Sequence, residues 1–588
     1  MKIKLYLLYI AAIVILIWIG FVIFYNWFSD NNALKNSAQN PTNVSMGELL
    51  YNGILLPETW PPRHFQPDSD EPMPVPYLDL PPKIIPVDLG RQLFIDDFLI
   101  EETDMQRTYY QAEKYSGNPV FVPESTDEIN GPDGKKSVVY FPNGGIFYDY
   151  KEGIFKMFYS SGWLGALALA TSRDMIHWER PDLGLSKNNI FLPKGHVYTG
   201  EDLQTAGSNN SIWLDLEADE SERIKYLTCW IHAPEDQRPK HTSHTMHTSD
   251  GENWSKASPT GIAGDLCSFF YNPFRKVWVS SIRISDGPRG RCRYYSEHAD
   301  FLSGADWSRK VYWTNADNFD APEPFDGYHQ GEDPPQLYSL NAVAYESIMV
   351  GMHYIWRGPV NKVIDEKKYP KITDLELGFS RDGFHWHRPD RRGFIRAERK
   401  EESWDRGYLR SPTGVFVVTK DKLIFPYTGF SGVANDGIEG PYSGASIGIA
   451  MLRRDGFASM DAGEKSSTLL TRPLIFSGKY LFVNTHVQGE LRVEVRDLNG
   501  QVIQPFTLQN SLPIRNDRTS IQVNWKGIED LSSISNKPVQ LYFELYNGSL
   551  FSFWISKELS GSSQGFLAAG GLGYDGIRDT QGSRAIDH

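Results

Sequence analysis

The pattern of apolar and polar positions changes several times along the chain, beginning with one long apolar run. This run covers Leu5 to Phe28 and contains one strongly polar residue, Asn26. It is long enough to span a bilayer and ends in aromatic residues without a small-residue cleavage site, which favours an uncleaved anchor over a cleaved signal peptide. Lys2 and Lys4 precede the run, so the positive-inside rule places the remaining chain outside the cytoplasm. We therefore predict a single-pass membrane anchor in residues 1–30 and an extracytoplasmic body.

The next part of the pattern, residues 31–86, has no sustained periodicity and is rich in Asn, Ser and Pro. Such a composition predicts a stalk or linker. From residue 87 onward, short apolar runs alternate with Gly, Pro, Asn and Asp turns, and no long stretch has the helical period. The body of the chain is therefore predicted to be all-β.

A turn motif recurs through this β body, with a Trp placed four residues after an Asp. Three clear copies are Ser172-Arg173-Asp174 with Trp178, Ser249-Asp250-Gly251 with Trp254, and Ser380-Arg381-Asp382 with Trp386. Weaker copies contain Asp300 and Asp455. The copies lie roughly 50 to 80 residues apart and each follows two strand-like runs, as expected for four-stranded blades. We predict a five-bladed β-propeller over residues 87–465; the alternative, unrelated hairpins in a sandwich, does not explain the matching turns.

The aspartates of the motif are predicted to be structural rather than catalytic. A carboxylate after Ser caps the backbone N–H groups of a tight turn, and the Trp that follows packs between blades. Asp96 and Asp97 lie on an earlier apolar strand, which we expect to close the ring as the last strand of blade five.

After Gly463 the pattern becomes a series of alternating strands. Strands of this kind over residues 466–560 predict a β-sandwich. The Gly-rich residues 561–588 are expected to form a loosely ordered tail, in which Phe566 to Tyr574 can pack back on the body.

Composition narrows the classes of partner and cofactor. A net charge of −14 is unfavourable for binding nucleic acid, so neutral substrates fit better. Three cysteines without CxxC spacing exclude a cysteine zinc site and leave open one disulfide or buried thiols. No phosphate-binding glycine loop or GxSxG motif occurs. We predict no metal and no cofactor.

Several segments carry a resemblance to known proteins: Arg91-Gln-Leu-Phe-Ile-Asp-Asp-Phe-Leu-Ile100, Asn118-Pro-Val-Phe-Val-Pro123 and Ser380-Arg-Asp-Gly-Phe-His-Trp386. With the five blades, they resemble the five-bladed propellers of glycoside hydrolase families 32 and 43. The resemblance implies glycosidase activity and a sandwich after the propeller. It does not carry over the catalytic acids, because the Asn-Asp-Pro-Asn-Gly, Arg-Asp-Pro and Glu-Cys motifs of family 32 are absent. The nearest first-blade segment, Pro142-Asn143-Gly144, lacks a carboxylate.

Candidate catalytic carboxylates are sought where loops enter the innermost strands, because glycoside hydrolysis uses two carboxyl groups. Asp265 lies three residues before the predicted first strand of blade three, whereas Asp202, Asp333 and Asp405 lie nine residues before those of blades two, four and five. We predict that Asp265 and Asp333 act as the acid and the base or nucleophile, with Asp202 orienting, at a separation of about 5–5.5 Å for retention or 6.5–9.5 Å for inversion. Glu332 and Asp405 are predicted to contact substrate. For each of these five acids, the alternative to a role in the site is a solvated loop carboxylate without function.

Cationic and aromatic residues supply further candidates for substrate binding. Arg283 and Arg293, with Arg291, cluster around blade three, where they can bind an acidic sugar or form salt bridges. Trp356, and more weakly Trp163, follow second strands and can stack on a sugar ring. Two functions follow: hydrolysis of an extracytoplasmic glycan, or non-catalytic carbohydrate binding. Fewer than two carboxylates in the propeller funnel would favour binding.

Overall fold

The computed structural model describes residues 47–63, 68–131, 135–185, 188–193, 204–205, 211–228, 231–232, 242–262, 264–302, 306–320, 334–368 and 370–585. The chain divides into two compact units, residues 1–48 with 56–60 and residues 49–55 with 61–588. The second unit contains the blades and the sheet that follows them.

Short elements precede the first blade. They are α1 (Pro76–Asp79), β1 (Ile85–Pro86), β2 (Gln92–Leu93), β3 (Ile100–Thr103), β4 (Gln106–Tyr109), β5 (Glu113–Lys114) and α2 (Thr126–Asn130).

Five antiparallel blades follow in chain order, which confirms the predicted propeller. Blade one contains β6 (Val139–Asp149), β7 (Ile154–Ser161), β8 (Ala166–Ser172), β9 (Trp178–Glu179) and β10 (Ile190–Leu192). Blade two contains β12 (Ser211–Leu214), β13 (Ile224–Thr228), β15 (Thr242–Thr248) and β16 (Ser258–Ile262), beside the small pair β11 (Gln204–Thr205) and β14 (Ile231–His232). Blade three contains β17 (Ser268–Asn272), β18 (Val277–Gly287), β19 (Gly290–His298) and β20 (Val311–Asn315).

Blade four contains β21 (Gln336–Glu346), β22 (Ile348–Gly358) and β23 (Ile372–Ser380), with α3 (Asn361–Lys367) between the last two. Blade five contains β24 (Gly407–Arg410), β25 (Val417–Thr419), β26 (Lys422–Phe430) and β27 (Ala445–Arg453). Beyond the blades lie β28 (Ala458–Ala462), β29 (Ser467–Thr471), β30 (Leu474–Ile475), β31 (Tyr480–Arg496), β32 (Asp517–Gln522), β33 (Gln540–Ser556), β34 (Phe566–Leu567) and β35 (Gly571–Leu572). Short 3₁₀ turns lie at Glu220–Glu222, Trp307–Arg309 and Gly582–Ala585.

The repeated turn has the same geometry in blades one, two and four. Asp174, Asp250 and Asp382 each accept hydrogen bonds from the backbone N–H groups two and three residues ahead. The register places Trp178 opposite Ser172 and Trp254 opposite Thr248, and the Phe379–His387 bridge sets Trp386 in the matching place. Burial is the largest single effect and raises the pKa of both carboxyls, but the backbone and side-chain hydrogen bonds together outweigh it and lower the pKa of Asp174 and Asp250 to about 2. The three aspartates are therefore structural, as predicted.

The ring closes through a different segment from the one predicted. Glu113 and Lys114 of β5 pair with β27 and form the outer strand of blade five. The apolar segment around Asp96 instead joins the C-terminal sheet, where β2 pairs with β33. The outer edge of a blade faces solvent, which suits the Glu and Lys of β5. The apolar segment around Asp96 is buried and must be covered on both faces.

Five strands after the propeller form one eight-stranded sheet with β2, β3 and β4; they are β28, β29, β31, β32 and β33. Its centre is the pair β31 and β33, each 17 residues long. Bulges in the pairing of these two strands let each one continue over its full length. Phe543 and Phe553, from the two halves of β33, both pack on Phe94.

The Gly-rich tail is ordered up to residue 585, contrary to the loose order predicted for most of it. β34 pairs with β21 and β35 pairs with β25, so the predicted packing of Phe566 to Tyr574 is confirmed. Glycine is required for this approach: a Cβ on Gly565 would lie 2.0 Å from Glu346 Oε2. A glycine-rich segment here marks close packing rather than flexibility.

A buried ionic cluster joins the N-terminal segment, two blades and the tail. Arg454 lies 2.9 Å from Glu346 and 3.2 Å from Asp579, and Arg91 lies 3.0 Å from Asp455. All five side chains are excluded from solvent. Against the effect of burial, Arg91 and Arg454 lower the pKa of Asp455 to about 2, so its carboxylate stays ionised. The cluster connects parts of the chain that are distant in sequence.

Much of the predicted stalk packs on the propeller. Tyr51 stacks on Phe274 at 4.4 Å, and Asn52 donates a 2.9 Å hydrogen bond to the carbonyl of Arg381. Tyr77 is buried. The predicted anchor, residues 1–30, lies outside the described residues, and within the described ranges no helix is long and apolar enough to cross a membrane.

These contacts predict how far the N-terminus can be shortened. The fragment 47–588 should melt cooperatively, whereas the fragment 81–588 should be less stable by about 2 kcal/mol or more, because it loses the buried Tyr77 and the contacts of Tyr51 and Asn52. Urea unfolding of both fragments measures the difference. Equal stabilities would show that residues 47–80 act as the stalk that the composition predicts.

Candidate functional site

The starts of the five innermost strands meet at one end of the propeller axis, called the mouth below. Beneath it, side chains of successive blades hydrogen-bond to backbone carbonyls across the axis: Asn143 to Cys267 (2.9 Å), Ser268 to Leu340 (2.8 Å), Asn341 to Ser411 (3.1 Å) and Thr413 to Gly144 (2.9 Å). These bonds connect blades one, three, four and five in a circuit. They give the mouth a rigid polar floor.

An arc of aromatic rings lines the mouth. From blade one through blade five to blade four, the neighbouring ring centroids are separated by 4.3 Å for Trp163–Tyr442, 6.0 Å for Tyr442–Tyr408, 6.0 Å for Tyr408–Tyr338 and 5.8 Å for Tyr338–Trp356. Trp163 and Tyr442 are partly exposed, whereas the other three rings are buried. Such an arc offers apolar faces to a ring-shaped ligand.

Cations accompany the rings. Lys371 Nζ lies 5.0–5.4 Å from the centroids of four of them, Tyr338, Trp356, Tyr408 and Tyr442. Arg291 lies 4.5 Å from the centroid of Trp356 and 5.1 Å from that of Tyr338.

Arg410 completes the set, 4.5 Å from the ring of Tyr408 and 5.1 Å from that of Tyr140. These distances are those of cation–π contacts, which favour cations over aromatic faces. The lining is therefore aromatic and positively charged.

Asp265 is the acidic residue at this end of the inner strands. Its Oδ1 lies 2.9 Å from Arg283 Nη2, and its side chain is 25% exposed. The next residue, Leu266, has φ of +57°, a strained conformation for a bulky side chain. Arg293 donates a 2.9 Å hydrogen bond to the carbonyl of Leu266. Tyr408 is strained in the same way, with φ of +50°. Strain of this kind is concentrated at functional sites.

A chain of hydrogen bonds crosses the mouth. Lys371 donates to the hydroxyl of Tyr338 at 3.2 Å, Tyr408 donates to the same hydroxyl at 3.3 Å, and Arg410 donates to Tyr408. Burial and the nearby Asp265 raise the pKa of Tyr338 to about 12, although Arg410 and Arg291 oppose them. Tyr338 therefore keeps its proton at neutral pH and can act as a hydrogen-bond donor to a ligand.

The structure brings four predicted site residues together at the mouth: Asp265, Arg283, Arg293 and Trp356. Arg293 is fully buried and donates to backbone carbonyls of blades three and four, so it positions the site from below. The predicted Asp202, Asp333 and Glu332 lie outside the described residues.

Asp405, predicted to contact substrate, is buried in blade five. Its carboxylate lies 2.7 Å from Lys114 and accepts hydrogen bonds from Ser403 at 2.9 Å and Tyr427 at 3.1 Å. Because Lys114 belongs to the strand that closes the ring, the Asp405 carboxylate joins that strand to blade five.

Sequence reasoning missed Lys371, Tyr338, Tyr408, Arg410 and Tyr442. They are not acids at strand entrances, and they lie outside the arginine cluster of blade three and the tryptophans that follow second strands. A usable signal was present for two of them, because Tyr408 and Arg410 alternate directly before the first strand of a blade. The others have no motif around them.

Elsewhere in the described part of the molecule, a second cavity and possible metal ligands were the other candidates for a site. A cavity of about 390 Å³ lies at the opposite ends of the inner strands, between Trp213, Trp278 and the tail residue Phe566. None of the predicted site residues that the structure describes lines it. Within the described ranges, no group of three His, Cys, Asp or Glu side chains is placed to hold a metal ion.

Comparison with known proteins gives similarity of fold. No protein-family profile and no curated protein matches the sequence. Among solved structures, the chain is similar to an N-acetylgalactosamine deacetylase from F. plautii (14% identity, TM-score 0.37, 60% of this chain and 96% of that one).

It is also similar to a family 43 arabinoxylan arabinofuranohydrolase from Bacillus subtilis (8%, 0.28, 73% and 81%) and a fructofuranosidase from Schwanniomyces occidentalis (12%, 0.31, 74% and 98%). The five-bladed propeller expected from the sequence is shown by the blades themselves.

Proposed function

We propose that the mouth is the active site of an extracytoplasmic glycoside hydrolase. The observation that supports this is the convergence of aromatic rings from blades one, four and five at the same end of the axis as one carboxylate, Asp265. Aromatic faces bind the C–H faces of sugar rings, while charged and hydroxyl side chains bind sugar hydroxyls. The anchor in residues 1–30 belongs to the same proposal and would hold the enzyme at a membrane surface.

In the proposed reaction, Asp265 and Asp333 form the carboxyl pair. One protonates the glycosidic oxygen as the C–O bond breaks, and the other attacks the anomeric carbon or removes a proton from the attacking water. Addition of one water releases two sugar products. Asp202 is proposed to orient this pair, and Glu332 remains a proposed substrate contact, whereas the buried Asp405 carboxylate is used by Lys114, Ser403 and Tyr427. Arg283 forms an ion pair with Asp265, with 2.9 Å between Nη2 of the arginine and Oδ1 of the aspartate.

Non-catalytic glycan binding is the second candidate, and the first blade favours it. The residue there is Asn143, not an acid, and its amide is already used to donate a hydrogen bond to Cys267. A buried amide engaged in the floor cannot supply proton chemistry. This function needs the aromatic arc but not a second carboxylate.

A glycan panel separates the two functions. The fragment 47–588 should release new reducing ends from at least one glycan of the panel, measured by reducing-sugar assay and chromatography, with binding measured on an array of the same glycans. Binding without release would support the non-catalytic function. Neither binding nor release across neutral and acidic glycans would overturn both.

A further inference from the structure

Among the residues that the structure describes, the cations at the mouth outnumber the carboxylates. Arg283, Arg291, Lys371 and Arg410 surround it, and Asp265, the carboxylate at the strand entrance, is paired with Arg283. One further acid near the arc, Asp365 on α3, is exposed and acts on Tyr442 from outside. Within the described residues, no carboxylate forms an ion pair with Lys371, Arg291 or Arg410, although the nearby Asp265 raises the pKa of Arg291.

Lys371 and Arg410 are buried, which makes their isolation costly, whereas Arg291 is half-buried. The residue Lys371 is 3% exposed and Arg410 is 2% exposed. Burial lowers the pKa of Arg291, and Arg283 lowers it further, although Tyr338 opposes both effects. Buried charges are normally paired, because removal from water costs more than cation–π contacts return. The mouth therefore favours a counter-anion.

Hydrogen-bond donors at the same place also lack acceptors. The indole N–H of Trp356 is buried without a partner in the described part of the chain. The hydroxyl of Tyr338 accepts bonds from Lys371 and Tyr408 and donates none there. A ligand that offers several acceptor oxygens and a negative charge satisfies these donors and neutralises the cations together.

We infer that the mouth binds an oxyanion, and that the glycan carries this group as a carboxylate or a sulfate ester. The inference rests on the proposed function and adds the class of substrate: an acidic glycan, such as one containing uronic acid. The anionic group lies between Lys371, Arg291 and Arg410, and the sugar ring lies against Trp163 and Tyr442, the exposed end of the arc.

The net charge of −14 led to the prediction that neutral substrates fit this protein better than anionic ones. That number is an average over the surface, whereas recognition depends on the charge of the site itself. Local positive charge in an acidic protein attracts the anionic group of a ligand to one place.

The test compares one oligosaccharide in two forms: a uronic-acid oligosaccharide and its carboxyl-reduced neutral counterpart. Binding to the fragment 47–588 is measured by calorimetry, with inorganic phosphate and sulfate titrated separately. Wild type should bind the acidic form about 100-fold more tightly than the neutral form, and Lys371→Met should bring the ratio of the two affinities close to one. Lys371→Arg should retain binding, and Lys422→Met, the same change at an exposed lysine of β26, should behave as wild type.

The stability of Lys371→Met without ligand separates a binding role from a structural one. A buried, unpaired charge destabilises the empty protein, so the variant should melt at the wild-type temperature or above it. A large fall in melting temperature would mean that Lys371 supports the fold through its aromatic neighbours, and would overturn the inference.

The remaining outcomes separate this inference from the proposed function. Equal binding or hydrolysis of the two oligosaccharide forms would overturn the inference and leave a glycan-active protein. Binding of inorganic phosphate or sulfate without preference for the acidic sugar would assign the oxyanion to a free ion and also overturn it. Failure to bind any glycan would overturn the proposed function itself.

Discussion

Replacing Asp265 by Asn is expected to lower kcat on the responsive glycan by about 10²- to 10⁴-fold, because the amide keeps the shape but cannot transfer a proton or act as nucleophile. Stability should change by less than about 1 kcal/mol, since the Asp265–Arg283 pair is partly exposed. Steady-state kinetics and thermal unfolding of the fragment 47–588 measure the two effects.

Asp250→Asn is the matched control. This carboxylate caps an outer turn of blade two, so the variant should keep wild-type kcat. Near-normal turnover in Asp265→Asn would remove Asp265 from the chemistry. Asp333→Asn and Asp202→Asn would then identify the pair, and retention of activity in all three would exclude the proposed mechanism.

Replacing Arg454 by Met should destabilise the protein by about 3–5 kcal/mol, because it leaves the buried carboxylates of Glu346 and Asp579 without their shared cation. Blade four, blade five and the tail meet at this residue. The loss should therefore appear as a lower midpoint for the whole unfolding transition, measured in urea.

Arg472→Met makes the same change at an exposed pair. Arg472 lies 2.9 Å from Glu101, and both side chains are partly exposed, so the cost should stay below about 1 kcal/mol. A loss below 1 kcal/mol in Arg454→Met as well would show that the buried cluster contributes little to joining the blades, the sheet and the tail.

The number of blades could be predicted from the sequence because each blade repeats a local solution. The Ser-x-Asp turn satisfies its own backbone within a few residues, so its signature stays short, as in Ser172 to Trp178 and Ser380 to Trp386. Strand runs before each turn have the same local origin. Register, ring closure and the partner of the apolar segment around Asp96 depend on distant residues: register was not predicted, and the other two were predicted wrongly.

The mouth illustrates the same limit for function. Asp265 was found from its position before an inner strand, and Arg283, Arg293 and Trp356 from their residue types. Their roles differ in the structure: Arg283 pairs with Asp265, Arg293 braces the carbonyl of Leu266, and Trp356 contacts Arg291 and Lys371.

By itself, the sequence determined the all-β class, the five repeated blades, the structural role of the turn aspartates and one carboxylate at a strand entrance. These follow from patterns confined to a few neighbouring residues. Only the tertiary structure decided that Lys371, Arg291 and Arg410 share one end of the axis with Tyr338 and Tyr408. The physical reason is that burial and charge imbalance belong to groups brought together by ring closure, and residues from three blades carry no common pattern along the chain.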